Sequence, residues 1–408
     1  MPNVSFTGLL IVAVVAFLAP LLLGLSPARR LPSVVLEIVA GIIIGPSVLG
    51  WVKVDVPISI LSVFGLAFLL FLAGLEVELE RLRGRLLLYV GSGFVLSLAL
   101  ALLVGYALYV AGQVISPLLI AIILVATALG IIVPILKDAG QSETDFGQLI
   151  IAGAMFAEFG SIILLSLFFS REATGTATKV VLLVGFALLA VGFAFVVLRL
   201  ERSKRIAAVL VRLQDTTAQI RVRGAFLALV GFVALATTLG LETILGAFIA
   251  GVILRIVDGD KMLTHPHFRQ KLEAIGFGVF IPAFFVSSGL NFDLKALLSG
   301  PSTILRVPIF LAALLLVRGL PALLYRPLVG QRRAVIAGLL QATSLSFIVA
   351  ASQIGLELGL ISKASGAALV AAGLLSVLIF PILALTLLRR TAMTDRATMV
   401  ATSAQEVP

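Results

Sequence analysis

Long apolar segments, separated by short polar stretches, run along the whole chain. Thirteen of them are long enough to cross a bilayer as helices, since about 20 apolar residues span the hydrocarbon core. Their approximate centres are residues 16, 42, 66, 98, 126, 158, 188, 232, 249, 281, 313, 343 and 376. The eighth and ninth are joined only by ALATTLGLET, so the pattern leaves twelve or fourteen spans open. The fold class is predicted to be all-α and polytopic.

The composition agrees with this pattern. Hydrophobic residues make up 61% of the 408 residues and charged residues 12%, with a mean hydropathy of +1.20. Soluble domains are nearer half apolar and a quarter charged. The chain has no cysteine, which excludes a disulfide framework and a thiolate metal site.

The lysines and arginines predict the orientation. If the N-terminus is outside, the predicted inner segments hold 23 of the 30 basic residues, the outer segments hold 5, and two lie within the eleventh apolar segment. This asymmetry predicts an outside N-terminus and a cytoplasmic C-terminus. It also makes the net charge of +10 a signal of topology, with no nucleic acid expected as a partner.

The two halves of the sequence resemble each other in three places. VATALGIIV (125–133) matches QATSLSFIV (341–349), EIVAGIIIG (37–45) matches AFIAGVILR (247–255), and the segment 64–82 matches 277–297. Matched helices are seven apart, and an odd separation inverts the second copy. Two six-helix inverted repeats are therefore predicted, an arrangement typical of secondary transporters.

The repeats divide one predicted transmembrane domain, residues 1–390. Repeat one covers about 7–170, a linker helix covers about 177–199, and repeat two covers about 223–390. Residues 391–408 are predicted to form a short cytoplasmic tail.

Helices 5 and 12, which are related by the repeat, are predicted to be broken in mid-membrane. Gly130 and Pro134 loosen helix 5, because proline removes a backbone donor. Thr343, Ser344 and Ser346 can satisfy freed backbone groups in helix 12. Paired broken helices mark ion sites in transporters. The alternative is that these small residues only allow close helix packing.

Glu158 lies at the centre of the sixth apolar segment, too deep to reach either interface. It shares a helix face with Ala154 and Ser161, as expected for the wall of a polar cavity. A carboxylate at this depth indicates a functional site by default. The alternative is a structural carboxylate paired with a buried base.

Arg318 is the candidate counter-charge for Glu158, since it is central in the eleventh segment and stays protonated. A buried arginine there would hold Glu158 ionised until a cation competes for it. The alternative is that Arg318 binds helix-end carbonyls beside Gly319 and Pro321.

Several motifs resemble the cation:proton antiporters of the sodium/hydrogen exchanger superfamily, and most closely its bacterial Kef-like and NapA-like branch. The motifs are RLPSVVLEIVAGIIIGPSVLG (30–50), LLFLAGLEVELERLR (69–83), KLEAIGFGVFIPAFFVSSGLNFDL (271–294) and ATSLSFIVAASQIGLELGLIS (342–362). The resemblance implies thirteen helices, a homodimer, and an elevator movement of a core domain in which helices 5 and 12 cross.

The resemblance also implies roles for individual residues. The family's helix-6 pair aligns with Ala157-Glu158, whose second member binds cation and proton in alternation. The polar ligand of helix 5 aligns with Thr127, and the basic residue of the late core helix aligns with Arg318. Alanine at position 157 departs from the polar residue of the family and removes one oxygen ligand.

The sequence therefore predicts a secondary-active antiporter of a monovalent cation, Na+ or K+, against H+. With one carboxylate at the site the exchange is expected to be electroneutral. We expect a multi-pass protein of the cell membrane that is not an enzyme, uses no cofactor, and has no nucleotide-binding domain after the last helix. Two alternatives are a proton-coupled transporter of a small organic solute and a cation channel or ion-conducting subunit.

Overall fold

The computed structural model describes residues 6–25, 33–76, 84–169, 176–201, 208–209, 212–213, 216–258 and 268–405. Every regular element within these ranges is helical. Ten of the described helices are long and apolar enough to cross a membrane, and three apolar helices are shorter. The predicted all-α polytopic fold is confirmed.

The helices are labelled α1 to α13, one for each predicted span. Eleven are continuous: α1 Phe6–Leu25, α2 Ser33–Ile44, α3 Val56–Leu75, α4 Gly84–Val110, α6 Asp145–Phe169, α7 Thr176–Glu201, α8 Ile220–Thr238, α9 Thr243–Asp258, α10 Phe268–Leu290, α11 Pro301–Val329 and α13 Lys363–Gln405. The other two are broken: α5a Pro117–Val125 with α5b Leu129–Asp138, and α12a Gln331–Gln341 with α12b Ser346–Glu357.

Local sequence signals explain where several helices begin. The Asp55 carboxylate accepts a hydrogen bond from the Ile58 N–H at 3.1 Å, and Ser116 accepts one from the Leu119 N–H at 3.3 Å. Both caps are followed by a proline in the first turn, where a missing N–H costs nothing. These caps set the starts of α3 and α5a.

The last helix, α13, continues to Gln405 and includes most of the segment 391–408. That this segment forms a cytoplasmic tail stays a prediction. The stretch TAMTDRATMVATSAQ contains neither proline nor glycine, so nothing in it stops the helix.

The structure divides into two compact units. Among the described residues, unit 1 comprises those within 6–25, 33–76 and 162–292, and unit 2 comprises residues 84–161 and 293–405. Unit 1 contains α1–α3 and α7–α10. Unit 2 contains α4, α5, most of α6, and α11–α13.

Two glycine contacts inside unit 1 show the repeat. Gly41 of α2 faces Gly289 of α10, and Gly74 of α3 faces Gly251 of α9. A Cβ on any of the four would overlap a backbone carbonyl oxygen of the facing helix. Under the sequence match, Gly41 corresponds to Gly251 and Gly74 to Gly289. The repeat therefore maps the Gly41–Gly289 contact onto the Gly251–Gly74 contact, as expected when two inverted copies pack against each other.

Candidate functional site

The breaks in α5 and α12 lie inside unit 2 and are held by each other. Residues 126–128 separate α5a from α5b, and residues 342–345 separate α12a from α12b. The Ala128 N–H donates to the Thr343 carbonyl at 3.0 Å, and the Thr127 hydroxyl donates to the Gln341 carbonyl at 2.7 Å. Each break thus satisfies backbone groups that the other helix leaves free.

The predicted supporting residues fall into two groups. Thr343 and Ser344 lie in the α12 break, and Ser346 begins α12b. Gly130 and Pro134 lie inside α5b, past the break, and their supporting role stays a prediction. Hydrogen bonds from Thr127 and Ala128 to the α12 break hold the chain open at residues 126–128.

A serine on the last helix supports the α12 break. The Ser376 hydroxyl of α13 accepts a hydrogen bond from the Ser344 N–H at 3.1 Å and lies 3.0 Å from the Ser344 carbonyl oxygen. The Thr343 hydroxyl donates to the Leu339 carbonyl at 3.3 Å. Polar side chains thus replace the helical hydrogen bonds that the break gives up.

Glu158 is buried in the middle of α6, with 3% of its surface exposed. Its Oε2 accepts a hydrogen bond from the Leu129 N–H at 3.0 Å. Leu129 is the first residue of α5b, so this N–H is one that the helix cannot satisfy itself. The positive end of the helix dipole stabilises a negative charge at this position. The α5 break therefore creates the environment that accepts an ionised carboxylate.

Arg318 lies in a π-helical turn of α11, Leu315–Gly319, and is 2% exposed. Pro321 follows this turn and has no N–H to continue the helical ladder, which explains the local irregularity. The guanidinium donates to four acceptors: Thr127 Oγ1 at 2.8 Å, Ser97 Oγ at 3.0 Å, Gln341 Oε1 at 3.2 Å and the Gly153 carbonyl at 3.3 Å.

The role of Arg318 as the counter-charge of Glu158 stays a prediction, and the structure shows which groups the guanidinium binds. Among the described residues, the hydrogen bonds of Arg318 go to neutral oxygens and not to the Glu158 carboxylate. The two residues are linked indirectly, because Thr127 binds Arg318 and Leu129, two residues later, binds Glu158. The chain at residues 127–129 connects the two charges.

Thr127 is at the centre of this arrangement. Its hydroxyl proton is directed to the Gln341 carbonyl, and one lone pair accepts the Arg318 N–H. A hydroxyl has two lone pairs, so one remains for a further ligand. Ala157, beside Glu158, is fully buried and provides no side-chain oxygen.

Sequence reasoning missed four contributors to the site. They are Ser97, Gly153, Tyr325 and Gln341, which all contact Arg318 or one of its partners. Gln341 could have been found from the sequence, since it is an amide in an apolar segment immediately before the predicted break. Ser97 and Gly153 had none, because single serines and glycines are common in membrane helices.

The comparison with protein families gives one match over nearly the whole chain. The model described as "Sodium/hydrogen exchanger, transmembrane" matches residues 13–389. This agrees with the resemblance carried by the sequence motifs.

Two curated proteins are similar over most of this chain, and the names of both mark them as candidate Na(+)/H(+) antiporters. YjbQ of Bacillus subtilis (strain 168) is 31% identical over 397 residues, which are 94% of this chain. The chain spans only 63% of the length of YjbQ. Na(+)/H(+) antiporter 3 of Methanocaldococcus jannaschii is 31% identical over 389 residues, which are 91% of this chain and 94% of that protein.

A solved structure has the same fold. The sodium proton antiporter MjNhaP1 from Methanocaldococcus jannaschii, at pH 8, matches with a TM-score of 0.65. The match covers 94% of this chain and 98% of MjNhaP1, at 16% sequence identity. At this identity the likeness concerns the fold alone.

Proposed function

Because the chain belongs to the transmembrane sodium/hydrogen exchanger family, we propose that it exchanges a monovalent cation, Na+ or K+, for a proton across the cell membrane. The family is one of transporters, so the expectation that the chain is not an enzyme is confirmed. Na+ is the first candidate, because the two similar proteins carry Na(+)/H(+) in their names.

The observation that carries the proposal is the contact between the Glu158 carboxylate of α6 and the first N–H of α5b. A carboxylate deep in a membrane is costly when ionised. The Leu129 N–H offsets part of this cost with a hydrogen bond to a charged acceptor, which contributes about 1.5–3 kcal/mol. Glu158 can therefore give up its proton without leaving the membrane interior.

The cation and the proton compete for this one carboxylate. When Glu158 is ionised, a cation binds its oxygens, and the remaining lone pair of the Thr127 hydroxyl is an additional ligand. When Glu158 takes a proton, its affinity for the cation falls and the cation leaves. Backbone carbonyls freed at the two breaks complete the oxygen ligands.

Arg318 acts on this competition through its charge. It remains protonated at every accessible pH, so it stabilises the ionised form of Glu158 whether or not a cation is bound. Its charge does not change when a proton replaces a cation. Each cycle therefore moves one cation against one proton, and the exchange is electroneutral.

The remaining parts of the proposal concern architecture. The site lies in unit 2, and we assign alternating access to an elevator movement of the domain that carries it. We also propose a homodimer, an outside N-terminus and a cytoplasmic C-terminus, the last two on the distribution of lysines and arginines. The outward and inward forms would both use the same broken-helix site.

Ala157 keeps one alternative open. It places a methyl group where a second oxygen beside Glu158 would bind a cation, so a proton-coupled transporter of a small organic solute is the second candidate. In that case Glu158 would handle protons alone. Within the part of the chain that the structure describes, no feature specifically favours the channel alternative.

The test is cation-driven proton movement in proteoliposomes that hold a pH dye. Na+, K+ and Li+ are added in turn to the native chain, to Glu158→Gln and to Glu357→Gln. Glu357 is an exposed carboxylate of the same unit, so its substitution is the control for a lost charge. We expect native and Glu357→Gln to dissipate the pH gradient with one cation, and Glu158→Gln to be inactive. Proton flux that is independent of all three cations would favour the organic-solute transporter.

A further inference from the structure

Gln341 connects Arg318 to both breaks. It is the last residue of α12a and is 1% exposed. Its Oε1 accepts from Arg318 at 3.2 Å, its Nε2 donates to the Tyr325 hydroxyl at 3.4 Å, and its backbone carbonyl accepts from Thr127 at 2.7 Å. One side chain thus fixes the guanidinium, and the same residue's backbone fixes the hydroxyl that binds it.

The four acceptors of Arg318 are two hydroxyls, one amide oxygen and one backbone carbonyl. All are neutral, so they solvate the guanidinium without cancelling its charge. A carboxylate at any of these positions would form an ion pair and remove most of the positive field felt by Glu158. Of the four acceptors, the amide of Gln341 can be replaced by an acid of the same size and shape, because glutamate is isosteric with glutamine.

The amide of Gln341 packs directly against the backbone of α6 at Gly153. A Cβ on Gly153 of α6 would overlap the Gln341 Nε2 and lie 3.2 Å from the Tyr325 hydroxyl. Gly153 lets the backbone of α6 approach closely enough for its carbonyl to accept from Arg318 as well. The helix that carries Glu158 is therefore fitted to the amide of Gln341.

We propose that Gln341 is a positioning residue of the exchange site, which holds Arg318 with a neutral oxygen so that the arginine stays charged and apart from Glu158. The inference rests on the proposed function, because it concerns how Arg318 sets the pH range of cation–proton competition. Among the described residues, the titratable groups that hydrogen bonds link to the guanidinium's surroundings are Tyr325, through Gln341, and Glu158, through residues 127–129. Gln341 lies between the first of these groups and the arginine.

The direct test is Gln341→Glu. The new carboxylate pairs with Arg318, cancels its field and makes Glu158 harder to ionise. Na+ binding then needs a higher pH, and the midpoint of the exchange activity shifts to alkaline pH by about one unit or more. The control is Gln331→Glu, which adds the same charge at an exposed position at the start of α12a. We expect its midpoint to equal that of the native protein.

Gln341→Met removes the neutral acceptor and keeps the length of the side chain. Arg318 then loses one of the contacts that hold it apart from Glu158, and the midpoint shifts to acidic pH, with a higher KM for Na+. Gly153→Ala pushes the amide away by another route and is expected to shift the midpoint in the same direction. It replaces Gln341→Met if that variant does not fold.

The outcomes separate the two proposals. If Glu158→Gln is inactive but the Gln341 variants lose only turnover and keep the native pH midpoint, Gln341 is merely structural and the positioning role is wrong. If Gln341→Glu and Gln341→Met shift the midpoint in the same direction, the role of its neutral oxygen is wrong. If Glu158→Gln exchanges like the native protein, the proposed function itself fails.

Discussion

The Glu158 carboxylate accepts a hydrogen bond from the Leu129 N–H at 3.0 Å, at the first residue of a half-helix that starts in mid-membrane. This contact depends on the break in α5. A continuous helix would use the same N–H for its own hydrogen-bond ladder and leave the carboxylate without it. The break and the carboxylate therefore form one functional unit.

Removal of this N–H should impair cation binding. Leu129→Pro deletes the donor but suits the first position of a helix, where proline is well tolerated. Loss of a hydrogen bond to a charged group costs about 1.5–3 kcal/mol, so KM for the cation should rise by roughly ten- to a hundredfold. The measurement is proton flux in proteoliposomes against Na+ concentration.

Leu129→Ala is the matched control for that substitution. It truncates the same buried side chain but keeps the N–H, so its KM should remain near the native value. Equal increases in KM for the alanine and proline variants would contradict the role of the Leu129 N–H.

Two variants separate the charge of Arg318 from its geometry. Arg318→Lys keeps the positive charge but cannot reach four acceptors, so it should lower the unfolding temperature and leave the pH midpoint of exchange near the native one. Arg318→Gln removes the charge and should shift the midpoint to alkaline pH by about one unit or more. Identical pH profiles for the two variants would show that the charge does not act on Glu158.

The glycine contacts of unit 1 should be sensitive to one methyl group. Gly41→Ala and Gly74→Ala place a Cβ against a backbone carbonyl that cannot move aside easily, and overpacking of this kind costs about 1–3 kcal/mol. Gly192→Ala in α7 is the control, because a Cβ there meets nothing within 4 Å. Thermal unfolding in detergent should show lower stability for the first two only.

Glu76, which caps the end of α3, should make stability depend on pH. Its side chain is 18% exposed, and Arg269 lies 3.4 Å away and also binds Glu273. Burial raises the pKa of Glu76 from 4.5 to about 7, with a smaller lowering by Arg269 and a smaller raising by Glu273. Between these values the folded chain holds a proton that the unfolded chain releases. Stability should therefore fall as pH rises from 4.5 to 7 and stay level above that range.

Glu76→Gln removes this titration. The variant should match the native protein below about pH 4.5 and be more stable at pH 8, by up to roughly 3 kcal/mol for a shift of this size. Thermal unfolding at the two pH values measures the difference, with the exposed Glu357→Gln as the control. A variant that is less stable than the native protein at pH 8 would show that the ion pair with Arg269 outweighs the burial of Glu76.

The helices and the central carboxylate could be predicted from the sequence because both depend on local signals. Apolar length gives the spans, and the predicted centres at 126 and 343 fall in the two breaks. Glu158 stands out because an acid in the middle of a long apolar segment is costly and indicates a functional site. Thr343 and Ser344 were found because the repeat places them opposite the matching segment of helix 5.

The four hydrogen-bond acceptors of Arg318 could not be predicted as a set, because they come from four different helices whose packing the sequence does not show. Ser97 and Gly153 carry no signal of their own, and the amide of Gln341 becomes an arginine ligand only after α12a ends beside α11. The contacts that hold the α5 break could not be predicted for the same reason. Gly130 and Pro134 are local helix breakers, whereas the observed break is held by contacts with a segment more than 200 residues away.

The central claim is that a cation and a proton share Glu158, and proton release from the purified protein tests it most directly. Na+, and separately K+, is added to unbuffered protein in detergent while the released protons are counted with a pH dye. The account predicts that one of the two cations releases up to about one proton per chain from the native protein, near the pH midpoint of exchange, and none from Glu158→Gln. Equal proton release from both proteins would show that the cation displaces its proton from another group.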